Sequence, residues 1–236
     1  MVGARTAGMS ANRLIDAKID AKNPRTSSRL LPSGRMKATP VFVILVLSLS
    51  LLAYSSFCLN SLCFALSPLA VFLLLGYSYL KRFTWACHFG LGVVQACGPL
   101  GAWIAVSGEF QWSALWLAAG VGFWMAGFDI LYALADEDYD RENGIASIPG
   151  RFGATMACGI SRVCHFIAFS LWCLFSYSVG AGAIFGVGIG AVGSLLIWEH
   201  VLVGPDRLGQ LPLAFFKVNS FISVIVLVAT MGEIFL

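Results

Sequence analysis

Apolar side chains along this chain gather into seven long runs, at about 40–59, 61–80, 85–107, 112–135, 153–178, 180–202 and 213–235. Each is roughly twenty residues long, the length at which a helix crosses a hydrocarbon layer about 30 Å thick. The runs are broken at Lys81-Arg82, Ser107-Gly108-Glu109, the stretch from Asp136 to Gly150, Gly180 and Gly204-Pro205. They are continuous rather than alternating, which argues for helices and against a transmembrane β-barrel. Residues 1–20 contain Arg5, Arg13, Asp16 and Asp20, too much charge for a full span, and are expected to form a partial N-terminal helix. The expected fold is an all-α, polytopic transmembrane helical bundle of seven full spans plus that partial helix. No tandem repeat is visible, so residues 1–236 are read as a single membrane-embedded domain.

Composition narrows the function classes. The 236 residues are 58% apolar and only 11% charged, with a mean hydropathy of +0.83. An ordinary soluble domain is about 25% charged, so this chain lacks the polar surface of a soluble enzyme, a disordered protein or a nucleic-acid binder. The seven cysteines lie in or beside apolar runs without zinc-site spacing, and read as packing residues.

The formal charge of +3 is unevenly distributed. Eight of the fifteen Lys and Arg residues fall within the first forty positions. Alternate loops carry Arg25, Arg29, Lys81, Arg82, Arg141, Arg151 and Arg207, whereas the intervening loops carry no Lys or Arg. By the positive-inside rule the basic face is cytoplasmic, which fits a multi-pass protein of a bacterial inner membrane.

Two acidic clusters fall on that face. Asn12, Asp16 and Asp20 are spaced four apart and share a helical stripe about 80° wide. Asp129, Asp136 and Asp140 follow at steps of seven and four and fall within about 40° on a helix, while Asp138 points elsewhere. Acids in a single loop are ordinarily just solvated. Here there are two matched pairs, and Asp129 sits inside an apolar run, where a carboxylate costs about 2.5–3.5 kcal/mol unless it is paired or functional. Two carboxylate pairs repel unless a cation lies between them, and hard oxygen ligands suit Mg²⁺ bridging a phosphate ester. Arg25, Arg29, Lys81 and Arg82 supply the positive half of an anion site. Tyr77 shares a helix face with Lys81, or serves as an interfacial anchor. His88 and His165, isolated in apolar runs, read as packing residues, and His200 beside Glu199 is left open.

These motifs resemble the UbiA family of intramembrane aromatic prenyltransferases. The family's first motif, NxxxDxxxD followed by Arg-Thr, is matched by Asn12, Asp16, Asp20 and Arg25-Thr26. Its YxxxK element is matched by Tyr77 and Lys81. The second motif, DxxxxxxDxxxD, is matched by Asp129, Asp136 and Asp140. The segment Glu199-His-Val-Leu-Val-Gly-Pro is similar to the 4-hydroxybenzoate subgroup.

The resemblance implies catalysis by Asp16, Asp20, Asp136, Asp140 and Lys81, the four aspartates holding Mg²⁺ against the diphosphate of a polyprenyl donor. It implies substrate binding by Asn12, Arg13, Arg25, Arg29, Tyr77, Arg82, Asp129 and Tyr132. An allylic cation would then be captured by ring carbon of an aromatic acid, with 4-hydroxybenzoate, on the way to ubiquinone, the first choice. A dihydroxynaphthoate leading to menaquinone is the runner-up acceptor, and a membrane transporter or an inactive remnant are readings of another class. The partners expected are the two substrates and the bilayer, with no protein partner. Two departures stand out: Arg13 occupies a position where many members have Asp, and the family's usual nine spans imply that this chain is truncated at its N-terminus.

Overall fold

In the computed structural model the described residues are 1–205, 207, 209, 211 and 217–235, and among them regular structure is entirely helical. The helices are α1 (Val2–Asp20), α2 (Ala38–Leu59), α3 (Ser61–Leu80), α4 (Cys87–Ser107), α5 (Trp112–Ala133), α6 (Glu137–Glu142), α7 (Ile148–Ser178), α8 (Ala183–Leu202) and α9 (Asn219–Phe235). Six helical segments among these residues are long and apolar enough to cross a membrane: α2, α3, α4, α5 with its continuation to Glu142, α7 and α8. The expected seventh span, 213–235, is not among them. α9 has 17 residues, and positions 213–216 of the predicted run lie outside the described residues. α1 runs over 19 residues, Val2–Asp20, and is too polar to be counted as a span.

Local chemistry sets the helix ends. Asn60 caps α3 by accepting the Cys63 N–H at 2.8 Å, and its amide donates to the Ile104 carbonyl at 2.9 Å, tying that cap to the end of α4. Ser147 caps α7 by accepting the Gly150 N–H at 3.2 Å, with Pro149 in the first turn, where its missing N–H costs nothing. Gly153, at φ +79°, kinks α7, a backbone conformation that side chains disfavour.

The helices pack largely in chain order, α1 on α2 and α3, α3 on α4, α4 on α5, α5 on α7, and α7 on α8, with α8 on α9. α4 and α5 cross closely because small residues face each other: a Cβ on Gly92 would lie 2.4 Å from the Gly122 carbonyl oxygen. In lipid such backbone approach replaces the hydrophobic drive that packs soluble helices. Large side chains such as Leu47, Phe57 and Phe72 point outward, as a lipid-facing surface requires.

Two buried clusters fill the second half of the chain. One joins Ile130, Leu131 and Leu134 to Ile148, Ala157 and Cys158, beneath the acidic segment. The other joins Trp172 to Phe185, Val192 and Ile222 across α7, α8 and α9. Between α5, α7, α8 and α9 runs a polar thread that corrects the packing reading of His165. Its Nδ1 meets His200 Nε2 at 2.9 Å and its Nε2 meets the Trp124 carbonyl at 3.2 Å. Asn219 donates to Glu199 at 3.3 Å and accepts from the Trp124 indole at 3.1 Å. Buried polar groups in an apolar bundle require such partners.

Candidate active site

The end of α1, the loop after it, the end of α3, the start of α4 and the α5–α6 segment converge on one cavity of about 290 Å³. Both aspartate motifs open onto it. Asp16 and Asp20 come from the last turns of α1, and Asp136 and Asp140 from the turn and short helix that follow α5. The helix expected to carry Asp129, Asp136 and Asp140 on one face is in fact interrupted. α5 stops at Ala133, and a 3₁₀ turn over Leu134–Asp136 precedes α6. All three carboxylates still line the cavity, while Asp138 points away, its side chain 87% exposed and paired with Arg141.

Basic groups hold these acids in place. Lys81 Nζ lies 2.7 Å from Asp16 Oδ2, and Arg82 reaches Asp16 Oδ1 at 3.2 Å. Asn12 donates to Asp16 at 2.7 Å, one turn away on α1. Arg29 bonds Asp20 Oδ2 at 2.7 Å. Arg25 forks onto both oxygens of Asp136 and donates to the Tyr132 hydroxyl at 2.7 Å, its guanidinium 4.9 Å above that ring. The hydrogen-bonded Asp136 carboxylate raises the Arg25 guanidinium above its ordinary pKa, against the burial that opposes it. Asp140, buried beside Ser147 in the cavity wall, forms no ion pair among the described residues.

Eleven of the thirteen sequence-predicted site residues line the cavity: Asn12, Asp16, Asp20, Arg25, Arg29, Tyr77, Lys81, Asp129, Tyr132, Asp136 and Asp140. Two do not. Arg82 is a strut that also bonds the Ile15 and Ser78 carbonyls, and Arg13 lies 3.7 Å from Asp20 outside the lining. Tyr77 faces the cavity rather than only anchoring an interface. Asn23, absent from the expectations, donates to Asp136 at 2.9 Å. It stands two residues before Arg25 in the Asn-Pro-Arg-Thr turn, and that proximity was its one legible signal. His88, read as a packing residue, instead bonds Asp129 at 2.7 Å and lines the cavity.

No three Asp, Glu, His or Cys side chains among the described residues converge into a metal centre. The donors nonetheless suit Mg²⁺, which keeps waters and is typically held by one or two carboxylates plus substrate phosphates. The i, i+4 pairs Asp16/Asp20 and Asp136/Asp140 offer that arrangement on facing walls of one cavity.

This architecture is shared with known proteins. The chain is 27% identical over 227 residues to a 4-hydroxybenzoate octaprenyltransferase of Vibrio campbellii, covering 95% of this chain and 78% of that one. It superposes on the apo structure of a UbiA homolog from Aeropyrum pernix K1 with a TM-score of 0.90 and 29% identity, covering 98% of this chain and 86% of the other. It shares its fold with a UbiA homolog from Archaeoglobus fulgidus bound to DMAPP and Mg²⁺, at a TM-score of 0.57 and 17% identity, covering 96% and 88%. The pattern of the UbiA prenyltransferase family matches residues 1–221. With both aspartate motifs facing one basic-lined cavity inside a bundle of membrane-length helices, this multi-pass membrane protein belongs to the UbiA prenyltransferase family.

Proposed function

We propose that this protein transfers a polyprenyl group from polyprenyl diphosphate to ring carbon of an aromatic acid, with 4-hydroxybenzoate as the acceptor, in quinone biosynthesis. The observation that carries this reading is the confluence of four aspartates with Arg25, Arg29 and Lys81 on one cavity. A transporter's intramembrane acid needs no such matched set of fixed anions and cations. The name of the Vibrio campbellii relative supports the choice of acceptor.

Asp16, Asp20, Asp136 and Asp140 would hold Mg²⁺. When bound, Mg²⁺ supplies Lewis-acid compensation for charge on the departing diphosphate. The chain's own residues do the rest. Lys81, Arg25 and Arg29 are stored at the cavity wall on the same carboxylates, beside the place an incoming diphosphate would take. They would turn to it as those carboxylates take the metal. As negative charge grows on the bridging oxygen, these cations stabilise it more than they stabilise the ground state. The Tyr77 ring, which lines the cavity, would stabilise the allylic cation.

The same reading treats residues 1–236 as one domain in which α9 completes a seventh span. It places the cavity on the cytoplasmic side of a bacterial inner membrane, supported by Arg25, Arg29, Lys81 and Arg82 gathered at that end. The test is direct. Proteoliposomes of the full chain, given radiolabelled farnesyl diphosphate, Mg²⁺ and 4-hydroxybenzoate, should yield a labelled prenylated acid. Absence of product with this and every other phenolic or naphthoic acid tried would overturn the proposal.

A further inference from the structure

Asp129 differs from the other acids of the cavity. It sits within the spanning helix α5, whereas Asp136 and Asp140 stand in the turn and short helix that follow that helix's end at Ala133. No Lys or Arg pairs with it among the described residues. Its partner is His88, whose Nδ1 is 2.7 Å from Asp129 Oδ2. The other ring nitrogen, Nε2, accepts the Ile148 N–H at 3.2 Å. A ring nitrogen that accepts an N–H carries no proton, so the tautomer compatible with both contacts is neutral, with its proton on Nδ1. In that tautomer His88 donates to Asp129 and is itself pinned by the first residue of α7.

The consequence is a carboxylate with one oxygen tied back and the other available. Oδ2 is held by His88, Oδ1 makes no hydrogen bond among the described residues, and the Asp129 side chain is 31% exposed to the cavity. An apolar run is a costly place for such a group, and His88, with 4% of its side chain exposed, has no use as a surface residue. A free carboxylate oxygen is a hydrogen-bond acceptor only. It repels a second carboxylate and a diphosphate, and it takes a hydroxyl.

We infer that His88 is a positioning residue that orients Asp129 to accept the hydroxyl of a phenolic acceptor at the deep end of the cavity. This rests on the prenyl-transfer reading above and deepens it by assigning the two ends of the cavity. The diphosphate lies at the mouth, among Arg25, Arg29 and Lys81, and the phenol hydroxyl lies at Asp129. A hydroxyl donating to a carboxylate pushes electron density onto the ring carbon beside it, which is the carbon that attacks. An O-methyl ether of the same acid cannot donate, and would leave Oδ1 unpaired.

The test uses the full chain in proteoliposomes and compares His88→Ala with His88→Gln, whose amide both donates and accepts. His88→Ala should raise the KM for the phenolic acid at least tenfold while changing the KM for farnesyl diphosphate less than twofold. His88→Gln should recover most of the loss. In the wild type, competition by the O-methyl ether should be at least tenfold weaker than by the unreactive phenol of matched size. Equal shifts in both KM values, no difference between the two variants, or equal competition by ether and phenol would each overturn the inference while leaving the transfer reading intact. A wild type that prenylates no phenolic acid would overturn both.

Discussion

Arg25 and Asp136, 111 positions apart, meet in a two-pronged ion pair, Nε on Oδ1 at 2.9 Å and the second guanidinium nitrogen on Oδ2. The contact joins the loop after α1 to the turn after α5, and so ties the two aspartate motifs across the cavity mouth. The planar fork of arginine matches a carboxylate, and matches a phosphate equally well. On the proposed function, the same group would be stored on Asp136 and passed to the diphosphate.

Arg25→Lys should keep the charge but lose the fork. We expect turnover to fall at least tenfold, and Arg25→Ala to lower it on the order of a hundredfold, about 2.7 kcal/mol of transition-state stabilisation. Single-turnover transfer of labelled farnesyl groups measures this. Wild-type rates in both variants would remove Arg25 from the site.

Asp136→Asn and Asp140→Asn preserve volume while removing charge. Each should lower turnover on the order of a hundredfold with near-normal membrane insertion. Asp138→Asn, whose side chain is 87% exposed and turned from the cavity, should be nearly silent. Similar behaviour in all three would reduce this segment to a charged surface.

Chelation should arrest the reaction. EDTA in excess is expected to bring transfer to background, with recovery on adding Mg²⁺. Activity that persists through exhaustive chelation would exclude the metal-dependent reading.

Topology can be read by thiol labelling, in a background lacking the seven native cysteines. Cysteines placed at Lys22 and Asp138, both exposed, should react with an impermeant reagent from the same side of the membrane. One at Glu109 should react from the opposite side. Labelling of positions 22 and 138 from opposite sides would break the single-cavity arrangement.

Far from the cavity, Glu233 on α9 accepts the Gly182 N–H at 2.6 Å and the Phe185 N–H at 3.0 Å, capping α8. Removing it in Glu233→Ala should cost about 1–2 kcal/mol of stability. A lower melting temperature in detergent, with unchanged transfer per folded molecule, is the expected result; an unchanged melting temperature would mean water replaces the cap.

Hydropathy is a local property, and so six spans could be read before any contact was known. The charge asymmetry of the loops and the i, i+4 spacing of Asp16 with Asp20 and Asp136 with Asp140 are local in the same sense, since helix geometry alone places such residues together. Even with the unforeseen 3₁₀ turn at Leu134–Asp136, Asp136 and Asp140 both line the cavity. The family pattern was legible for this reason: its motifs are short and written within single elements.

Partner choice is different, because it depends on which helices touch and at what depth. Nothing in the sequence near His88 distinguishes a packing histidine from one that holds Asp129, 41 positions away. The two meet because Gly92 and Gly122 let α4 and α5 approach backbone to backbone. That His165 belongs to a buried polar thread, that Arg82 braces Asp16 without lining the cavity, and that Asn23 reaches Asp136 were likewise settled by packing. The sequence by itself determined which residues carry charge and on which end of the bundle they lie. Only the tertiary structure decided how those charges are paired, because a hydrogen bond is made or lost over a fraction of an ångström, a precision that spacing along a chain does not carry.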